Sequence, residues 1–266
     1  MRSSRFAKSG LGIPYALFLL LFVVAPLFVL LYYAFTNGQG QFTVQNLAAF
    51  FTSPNTIGTL AYSFALAAVT TCVCVLLAYP IAYILARSNM RHKSVILVAF
   101  VMPMWINFTL RITALKEILT VLEGNLALHP FLNSVIGMTY DFLPFMILPM
   151  YTTLMKLDTS LIEAAGDLGA NPVQTFLKVT LPLSLPGVLS GITLVFLPAV
   201  SSFFIPKLLG GGQYVLVGNV IETQFLTSGD WNFGSAISLI MAVIIMLSMW
   251  LTRKVDTDPA ANGKGA

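Results

Sequence analysis

The sequence predicts an all-α, polytopic integral membrane protein with about six transmembrane helices. Of its 266 residues, 57% are hydrophobic and only 9% are charged, and the mean hydropathy is +0.86, which leaves too few charges to cover a soluble surface. Crossing about 30 Å of hydrocarbon takes roughly 20 helical residues, and the alternating segments of a membrane barrel are absent. Six stretches meet this requirement: Leu11–Phe35, Ile57–Ala86, Ser94–Leu115, Ser134–Leu154, Pro186–Ile205 and Trp231–Leu251.

The positive charges predict that the N-terminus and the C-terminus both lie in the cytoplasm. Lys and Arg are retained on the cytoplasmic side of short loops, and eleven of the 14 fall in segments that this orientation places inside. The other three are Arg111, Lys116 and Lys207. This asymmetry accounts for the net charge of +4 and the pI of about 9.1 without a nucleic-acid partner. The first stretch is too long for a signal peptide and lacks a small-x-small cleavage pattern, so we expect a retained span.

These spans predict three regions. Residues 1–55 hold the cytoplasmic N-terminus, the first span and an outer loop. Residues 56–254 form the main membrane domain, with a cytoplasmic loop at residues 155–185, and residues 255–266 are a polar, disordered tail. Within the fifth span, Gly187 and Gly191 form a GxxxG pair that allows close helix packing, either inside this chain or with a partner.

The residues that usually carry catalysis or bind metals form no pattern in this sequence. Cys72 and Cys74 lie two positions apart in an apolar span and point to different helix faces, and the only histidines are His92 and His129. We therefore predict neither a catalytic site nor a metal site. The phosphate-binding pattern GxxxxGK[ST] is also absent, so any use of ATP requires another subunit.

A less apolar segment interrupts the chain between the fourth and fifth predicted spans and reads EAAGDLGANPVQTFLKVTLP from Glu163 to Pro182. Ser160 and Glu163 have the spacing of a capping box, which predicts a helix that begins near Ser160. Gly169 stands where a helix ends in a left-handed turn. Asn171 and the proline after it predict the cap and first residue of a second short helix, which should stop before Pro182. On physical grounds alone, the segment either lies on the membrane, covers the end of the bundle or receives another protein.

The spacing of this segment resembles the EAA loop of the membrane subunits of type I ABC importers. That pattern is EAA, three residues, glycine, nine residues, isoleucine, one residue and leucine-proline, and the sequence departs from it only at Val179. The resemblance implies that the segment docks on a separate ATP-hydrolysing subunit and couples it to transport. It also implies that ATP and Mg are held by that partner, and that this chain is a transport subunit and binds no cofactor. The predicted coupling residues are Glu163, Ala164, Ala165, Leu168 and Gly169.

A wider resemblance extends over the second to sixth predicted spans. The segments LPFMILPMYTTLMKLDTSLIEAAGDLGA, FLPAVSSFFIPKLLGG, VGNVIETQFL and DWNFGSAIS are similar to the PotB-type membrane subunits of bacterial spermidine/putrescine importers. This resemblance implies a multi-pass protein of the bacterial inner membrane. Its partners would be a second, homologous permease subunit, two ATP-binding subunits and a periplasmic or extracellular substrate-binding protein.

A polyamine carries several ammonium groups, so its pathway should offer carboxylates and aromatic faces. Asp141 is the only acidic residue inside the apolar stretches, and charges inside a membrane are usually functional. Tyr140 and Phe142 stand beside it, and Trp105 lies in the third span. Arg111 should lie at a comparable depth, so two roles for Asp141 stay open: substrate contact and an ion pair with Arg111.

Three residues in or beside the last outer loop are candidates for contact with the binding protein. They are Glu222, Asp230 and Trp231. Ordinary solvation of a surface loop is the competing interpretation for each of them.

Other functions also fit part of the sequence. An ABC permease for a different small solute would share the loop, whereas an ion-coupled secondary transporter or a static membrane scaffold would not need it. An ATPase that co-purifies with the chain, and that is lost when Glu163 and Gly169 are changed, would exclude the last two.

Overall fold

The computed structural model describes residues 13–88 and 90–255, with side chains up to residue 250. Within these ranges the chain consists of helices joined by loops. It contains no β-strand there, only one isolated bridge between Thr36 and Phe42. The helices are α1 Ile13–Ala34, α2 Gln45–Thr52, α3 Pro54–Arg87, α4 Lys93–Trp105, α5 Phe108–Glu123, α6 Pro130–Lys156, α7 Thr159–Asp167, α8 Pro172–Ser201, α9 Phe204–Leu209, α10 Val217–Thr223 and α11 Trp231–Val255.

The all-α membrane fold predicted from the sequence is confirmed. Five of the described helices, α1, α3, α6, α8 and α11, are long and apolar enough to cross a bilayer, and α4 and α5 together make a sixth span if they are counted as one. The first residues of the predicted first span, the charged N-terminus and residues 256–266 of the predicted tail lie outside the described residues. The division into three regions stays a prediction.

The third predicted span, Ser94–Leu115, is not one straight helix. The chain bends by 97° between α4 and α5. A 3-10 turn that contains Pro103 ends α4, Ile106 is extended, and the Asn107 side chain accepts a hydrogen bond from the Leu110 N–H to cap α5. Because Asn107 satisfies an amide at the start of a new helix, the apolar run is divided at this point.

The fifth predicted span begins earlier than expected. We predicted a helix that stops before Pro182 and a new span from Pro186, but α8 runs through both prolines. A π-helical turn at Phe176–Thr180 comes just before them, and the Leu181 N–H donates to the carbonyl oxygen of Phe176. This wider turn shifts the backbone carbonyls relative to an α-helix, so the Pro182 ring is accommodated without a break.

The described residues form two compact units, one of which contains Gly58–Asn219 and the chain from Ile245 onward. Its centre is the packing of α6 against α8. A Cβ atom on Gly187 would lie 2.6 Å from the Thr153 Oγ1 atom, and one on Gly191 would lie 2.5 Å from the Met146 sulfur. The GxxxG pair therefore packs against another helix of this chain.

Helix α3 joins the same core through polar contacts. The Ser63 hydroxyl accepts a hydrogen bond from the Val217 N–H at 3.0 Å, and the Tyr79 and Ser184 hydroxyls lie 2.7 Å apart. These contacts satisfy buried polar groups, which is the condition for placing them inside a membrane bundle.

The other unit contains the described residues up to Ile57 together with Val220–Ile244. The Asn232 side-chain amide donates to the Thr36 carbonyl oxygen at 2.6 Å, and the Asn46 amide donates to the same oxygen at 2.8 Å. The Trp231 ring lies 5.9 Å from the ring of Tyr33, measured between centroids. Two asparagines thus tie the start of α11 and the start of α2 to the end of α1.

Candidate functional site

The segment that resembles an EAA loop begins with α7, and its cap differs from the prediction. The Asp158 side chain accepts a hydrogen bond from the Ser160 N–H at 3.0 Å, so the predicted capping box of Ser160 and Glu163 is wrong. Asp158 has the extended backbone of a cap, whereas Ser160 already lies inside the helix. This hydrogen bond lowers the pKa of the Asp158 carboxyl below its ordinary value of 3.8. Its negative charge at the helix N-terminus is favourable.

The end of α7 matches the predicted glycine turn. Gly169 has a φ of +81°, and the Ala170 N–H donates to the carbonyl oxygen of Ala165 at 3.0 Å. A Cβ atom at Gly169 would meet nothing within 4 Å, so the requirement for glycine here is conformational.

The predicted cap at Asn171 is also confirmed. The Asn171 side chain accepts from the Gln174 N–H at 2.9 Å, and the Gln174 side chain accepts from the Asn171 N–H at 3.0 Å. Pro172 stands at the first helical position. The turn between α7 and α8 is therefore held at both ends by its own residues.

Helix α7 presents its small residues to the outside of the chain. None of its residues is buried, Glu163 and Ala164 are exposed, and Ala165 is half-buried. Leu168, which directly follows the helix, is 89% exposed. A large apolar side chain in this position does not cover the end of this chain's own bundle, and it leaves a face suited to another protein.

An aromatic cluster anchors this loop to the membrane helices. The Phe176 ring, one turn into α8, packs edge-on against Tyr79 and Tyr83 of α3, with centroid distances of 5.7 and 5.6 Å. Sequence reasoning missed these residues. Tyr79 and Tyr83 have the i, i+4 spacing of one helix face, but only the fold brings Phe176 to them.

The second candidate site is a buried ion pair between α5 and α6. The Arg111 Nη2 atom donates to the Asp141 carboxylate, and the two residues are only 8% and 7% exposed. The Arg111 guanidinium also lies 5.4 Å from the centroid of the Tyr140 ring. Asp141 comes eleven residues after the start of α6, so it lies about 16 Å along this helix. The ion pair that the sequence analysis left open is thus formed.

Two pockets flank this pair, and no residue lines both of them. One of about 410 Å³ is lined by Asp141, Phe142 and residues around the end of α8. The other, of about 390 Å³, is lined by Arg111, Tyr140 and apolar residues of α5 and of the bend before it. Trp105 is not among the lining residues of either pocket and is 75% exposed at the bend after α4.

The three candidates for contact with a binding protein lie in or beside α10 and the start of α11. Asp230 caps α11, because its carboxylate accepts a hydrogen bond from the Phe233 N–H at 3.0 Å. The Trp231 ring is about half exposed and packs edge-on against Phe225 at 5.4 Å. Glu222 is half-buried on α10. Their contact with another protein stays a prediction.

Comparison with known proteins identifies the family. Residues 78–258 match the family described as binding-protein-dependent transport system inner membrane component. This chain belongs to that family. Because it belongs to this family, the chain is a multi-pass inner-membrane transport component and not an enzyme. The matched residues include both the α7 loop and the Arg111–Asp141 pair. Family membership also excludes the two other interpretations, an ion-coupled secondary transporter and a static membrane scaffold.

Individual members of this transport family align over most of the chain. The spermidine/putrescine transport system permease protein PotB of Haemophilus influenzae is 34% identical, over 96% of this chain and 99% of its own length. PotB of Escherichia coli is 36% identical over 75% of this chain and 80% of its own. The inner membrane ABC transporter permease protein YdcU of E. coli is 28% identical over 83% of this chain and 78% of its own.

Solved ABC transporters have the same fold. A chain of a bacterial transporter for the import of the acidic polysaccharide alginate superposes with a TM-score of 0.69 over 94% of this chain and 96% of that one, at 15% identity. A bacterial alginate transporter in complex with a periplasmic protein carrying an alginate pentasaccharide superposes with a TM-score of 0.74, over 94% of each chain, at 13% identity. At this identity the likeness extends to the fold alone.

Proposed function

We propose that this chain is the membrane-spanning permease subunit of an ATP-driven importer for polyamines such as spermidine and putrescine. The observation that carries the coupling part of the proposal is the exposed face of α7, with Leu168 directly after it. The PotB relatives, similar over most of their length, support the polyamine class. A different small solute remains the alternative, because the same fold occurs in a transporter of an acidic polysaccharide.

The assembly that we propose contains a second, homologous permease subunit, two ATP-binding subunits and a periplasmic or extracellular binding protein. ATP and Mg would be bound by the ATP-binding subunits. The N-terminus, the C-terminus and the α7 loop would all face the cytoplasm, in accord with the distribution of Lys and Arg. The complex of a fold neighbour with a periplasmic protein supports the proposed binding protein as a partner.

Coupling would be mechanical. When nucleotide closes the two ATP-binding subunits, the docked α7 helices move with them and bias the bundle between inward-facing and outward-facing states. The capped turn from Gly169 to Asn171 connects α7 to α8 without a flexible linker. Phe176 then transmits displacement to α3 through Tyr79 and Tyr83.

Docking can be tested by charge substitution at Leu168, with Leu128 as a matched control. Leu128 is 63% exposed and lies in the loop before α6. Tagged variants are purified from source membranes, and the bound ATPase is quantified by photolabelling with an azido-ATP analogue. We expect Leu168→Glu to lose the ATPase and Leu128→Glu to retain it. Equal retention by the two variants would refute docking through α7.

Substrate class is tested with the whole complex in proteoliposomes. Uptake of labelled spermidine and putrescine is measured with the binding protein and ATP, beside a neutral sugar and a dicarboxylate. We expect only the polyamines to accumulate. Accumulation of the sugar or the dicarboxylate without the polyamines would replace the polyamine assignment with another solute.

A further inference from the structure

We propose that the pocket lined by Asp141 receives one ammonium group of the substrate, and that Arg111 holds Asp141 as a displaceable counter-ion in its absence. This inference rests on the proposed function, since it requires a cationic substrate. It goes further by assigning a substrate-binding site at Asp141, Arg111 as the competitor for that site, and a second partner for Arg111 when it is displaced.

The chemistry of the pocket suits an ammonium ion on an alkyl chain. The carboxylate is a charge-assisted hydrogen-bond acceptor for N–H groups, and aromatic faces attract cations and also pack against methylene groups. A pocket of about 410 Å³ brings these together with hydroxyl groups. The residues that carry the argument are Phe108, Asp141, Phe142, Ser201, Phe203 and Phe204.

The ion pair lacks the supporting contacts of a purely structural one. A buried pair is well stabilised only when the remaining donors and acceptors of both partners are also satisfied. The Arg111 Nε and Nη1 atoms are buried and have no hydrogen-bond partner within the described chain. Only Nη2 contacts Asp141. A substrate cation that displaces the Arg111 guanidinium from Asp141 therefore breaks a single hydrogen-bonded contact.

Arg111 has a second partner and a separate space. Its guanidinium lies 5.4 Å from the Tyr140 ring centroid, and both residues line the pocket of about 390 Å³. When an ammonium group reaches Asp141 from the other pocket, the guanidinium can shift over the Tyr140 ring. Throughout this exchange Asp141 faces a positive charge, which avoids an unpaired buried carboxylate.

The test compares a variant that lacks both charges with one that lacks only the charge of Arg111. Spermidine uptake is measured in proteoliposomes with the double variant Asp141→Asn/Arg111→Gln, with Arg111→Gln alone and with Thr139→Val as a control. The double substitution leaves no unpaired charge, and asparagine has the size of the aspartate that it replaces. Thr139 is a buried residue of α6, and its substitution changes polarity without changing charge.

We expect the assembled double variant to show a KM for spermidine raised about tenfold or more, the effect of losing one charge-assisted hydrogen bond. Arg111→Gln alone should lower the KM, since the competitor is gone, and Thr139→Val should keep the wild-type KM. A wild-type KM in the double variant, with transport lost only in Arg111→Gln, would show a structural pair and overturn the inference. If the wild-type complex takes up an anionic or neutral solute instead of spermidine, the proposed function itself fails, and the inference with it.

Discussion

Asp141 and Arg111 neutralise each other where both residues are more than nine-tenths buried. Removing one partner of a buried pair typically costs about 3–5 kcal/mol, whereas replacing both is often neutral. We therefore expect Asp141→Asn to lower the Tm of the detergent-solubilised complex, and the double variant Asp141→Asn/Arg111→Gln to recover most of the loss. Thermal unfolding followed by tryptophan fluorescence measures this. A double variant less stable than the single one would mean that the pair stabilises the fold by more than charge balance.

Single atoms also set the distance between α6 and α8. A methyl group on Gly187 would lie 2.6 Å from the Thr153 Oγ1 atom and 3.0 Å from the backbone oxygen of Pro149. Because a backbone atom cannot move aside cheaply, Gly187→Ala should destabilise the chain by about 1–3 kcal/mol.

Gly58 provides the matched control for this substitution. It is also helical, and a Cβ atom there would meet nothing within 4 Å. Gly58→Ala should be neutral or stabilise the chain by up to about 1 kcal/mol. Equal Tm values for the two variants would show that α6 and α8 can separate without loss.

At the scale of whole elements, the sequence predicts which segments are helical better than where they break. Hydrocarbon thickness dictates the length of an apolar run, so five of the predicted spans are found as long helices. The break between α4 and α5 depends instead on Pro103 and Asn107, whose local signals lie inside an apolar average. These two residues could have indicated the division, because a proline followed by a capping asparagine favours a new helix start.

The start of α7 shows the same limit on prediction. Asp158 and Ser160 are both good capping residues by type, and the choice between them depends on the path by which the chain leaves α6. Leu157 and Asp158 are both extended, so the first available side chain, that of Asp158, becomes the cap. The pocket lined by Asp141 could not be predicted at all, because it forms where the start of α5, α6 and the end of α8 meet.

Substitutions in the turn after α7 can distinguish a requirement of the backbone conformation from a requirement of docking contacts. A left-handed conformation costs a non-glycine residue about 1–2 kcal/mol, and asparagine tolerates it best. Gly169 has this conformation with free space around it. We expect Gly169→Asn to keep most of the substrate-stimulated ATPase activity of the complex, and Gly169→Val to lose about tenfold.

Comparing the two Gly169 variants can also refute the conformational explanation. Both add side-chain volume at the same place, but they differ in their tolerance of positive φ. If Asn and Val are equally inactive, the position is restricted by contact with the ATPase and the conformational explanation is wrong.

The cap of α7 has a defined pH dependence. Hydrogen bonds from the Ser160 backbone N–H and then from its hydroxyl lower the pKa of Asp158 below 3.8. Its stabilisation is therefore fully present above the unfolded value and is lost only as the pH falls through the lower folded value. Hydrogen exchange of residues 159–163 should show no titration of this cap between about pH 5 and 8.

A substitution at the cap completes this test. Asp158→Ala should raise hydrogen exchange in the same peptide at every pH, since the first turn loses its acceptor. Asp158→Ser retains an acceptor without the charge and serves as the control. Unchanged protection in the alanine variant would mean that α7 does not depend on its cap.

For the molecule as a whole, α6 is the most informative element because it is long enough to cross the membrane and an exposed leucine lies beyond each of its ends. Its 27 residues span about 40 Å at 1.5 Å per residue, more than the roughly 30 Å of the hydrocarbon core. Leu128 precedes this helix and Leu168 follows it, and both are exposed. We therefore expect the two side chains to reach opposite sides of the membrane, and the Lys and Arg distribution predicts the cytoplasmic side for Leu168.

Single-cysteine labelling of the chain expressed alone tests this assignment. In a background of Cys72→Ser/Cys74→Ser, a membrane-impermeant maleimide should label Leu128→Cys in spheroplasts and Leu168→Cys only in inverted vesicles. The leucines are matched in size and chemistry, so a difference in labelling reports the side of the membrane and not reactivity. The opposite pattern would place the α7 loop in the periplasm, where no ATP-binding subunit could reach it.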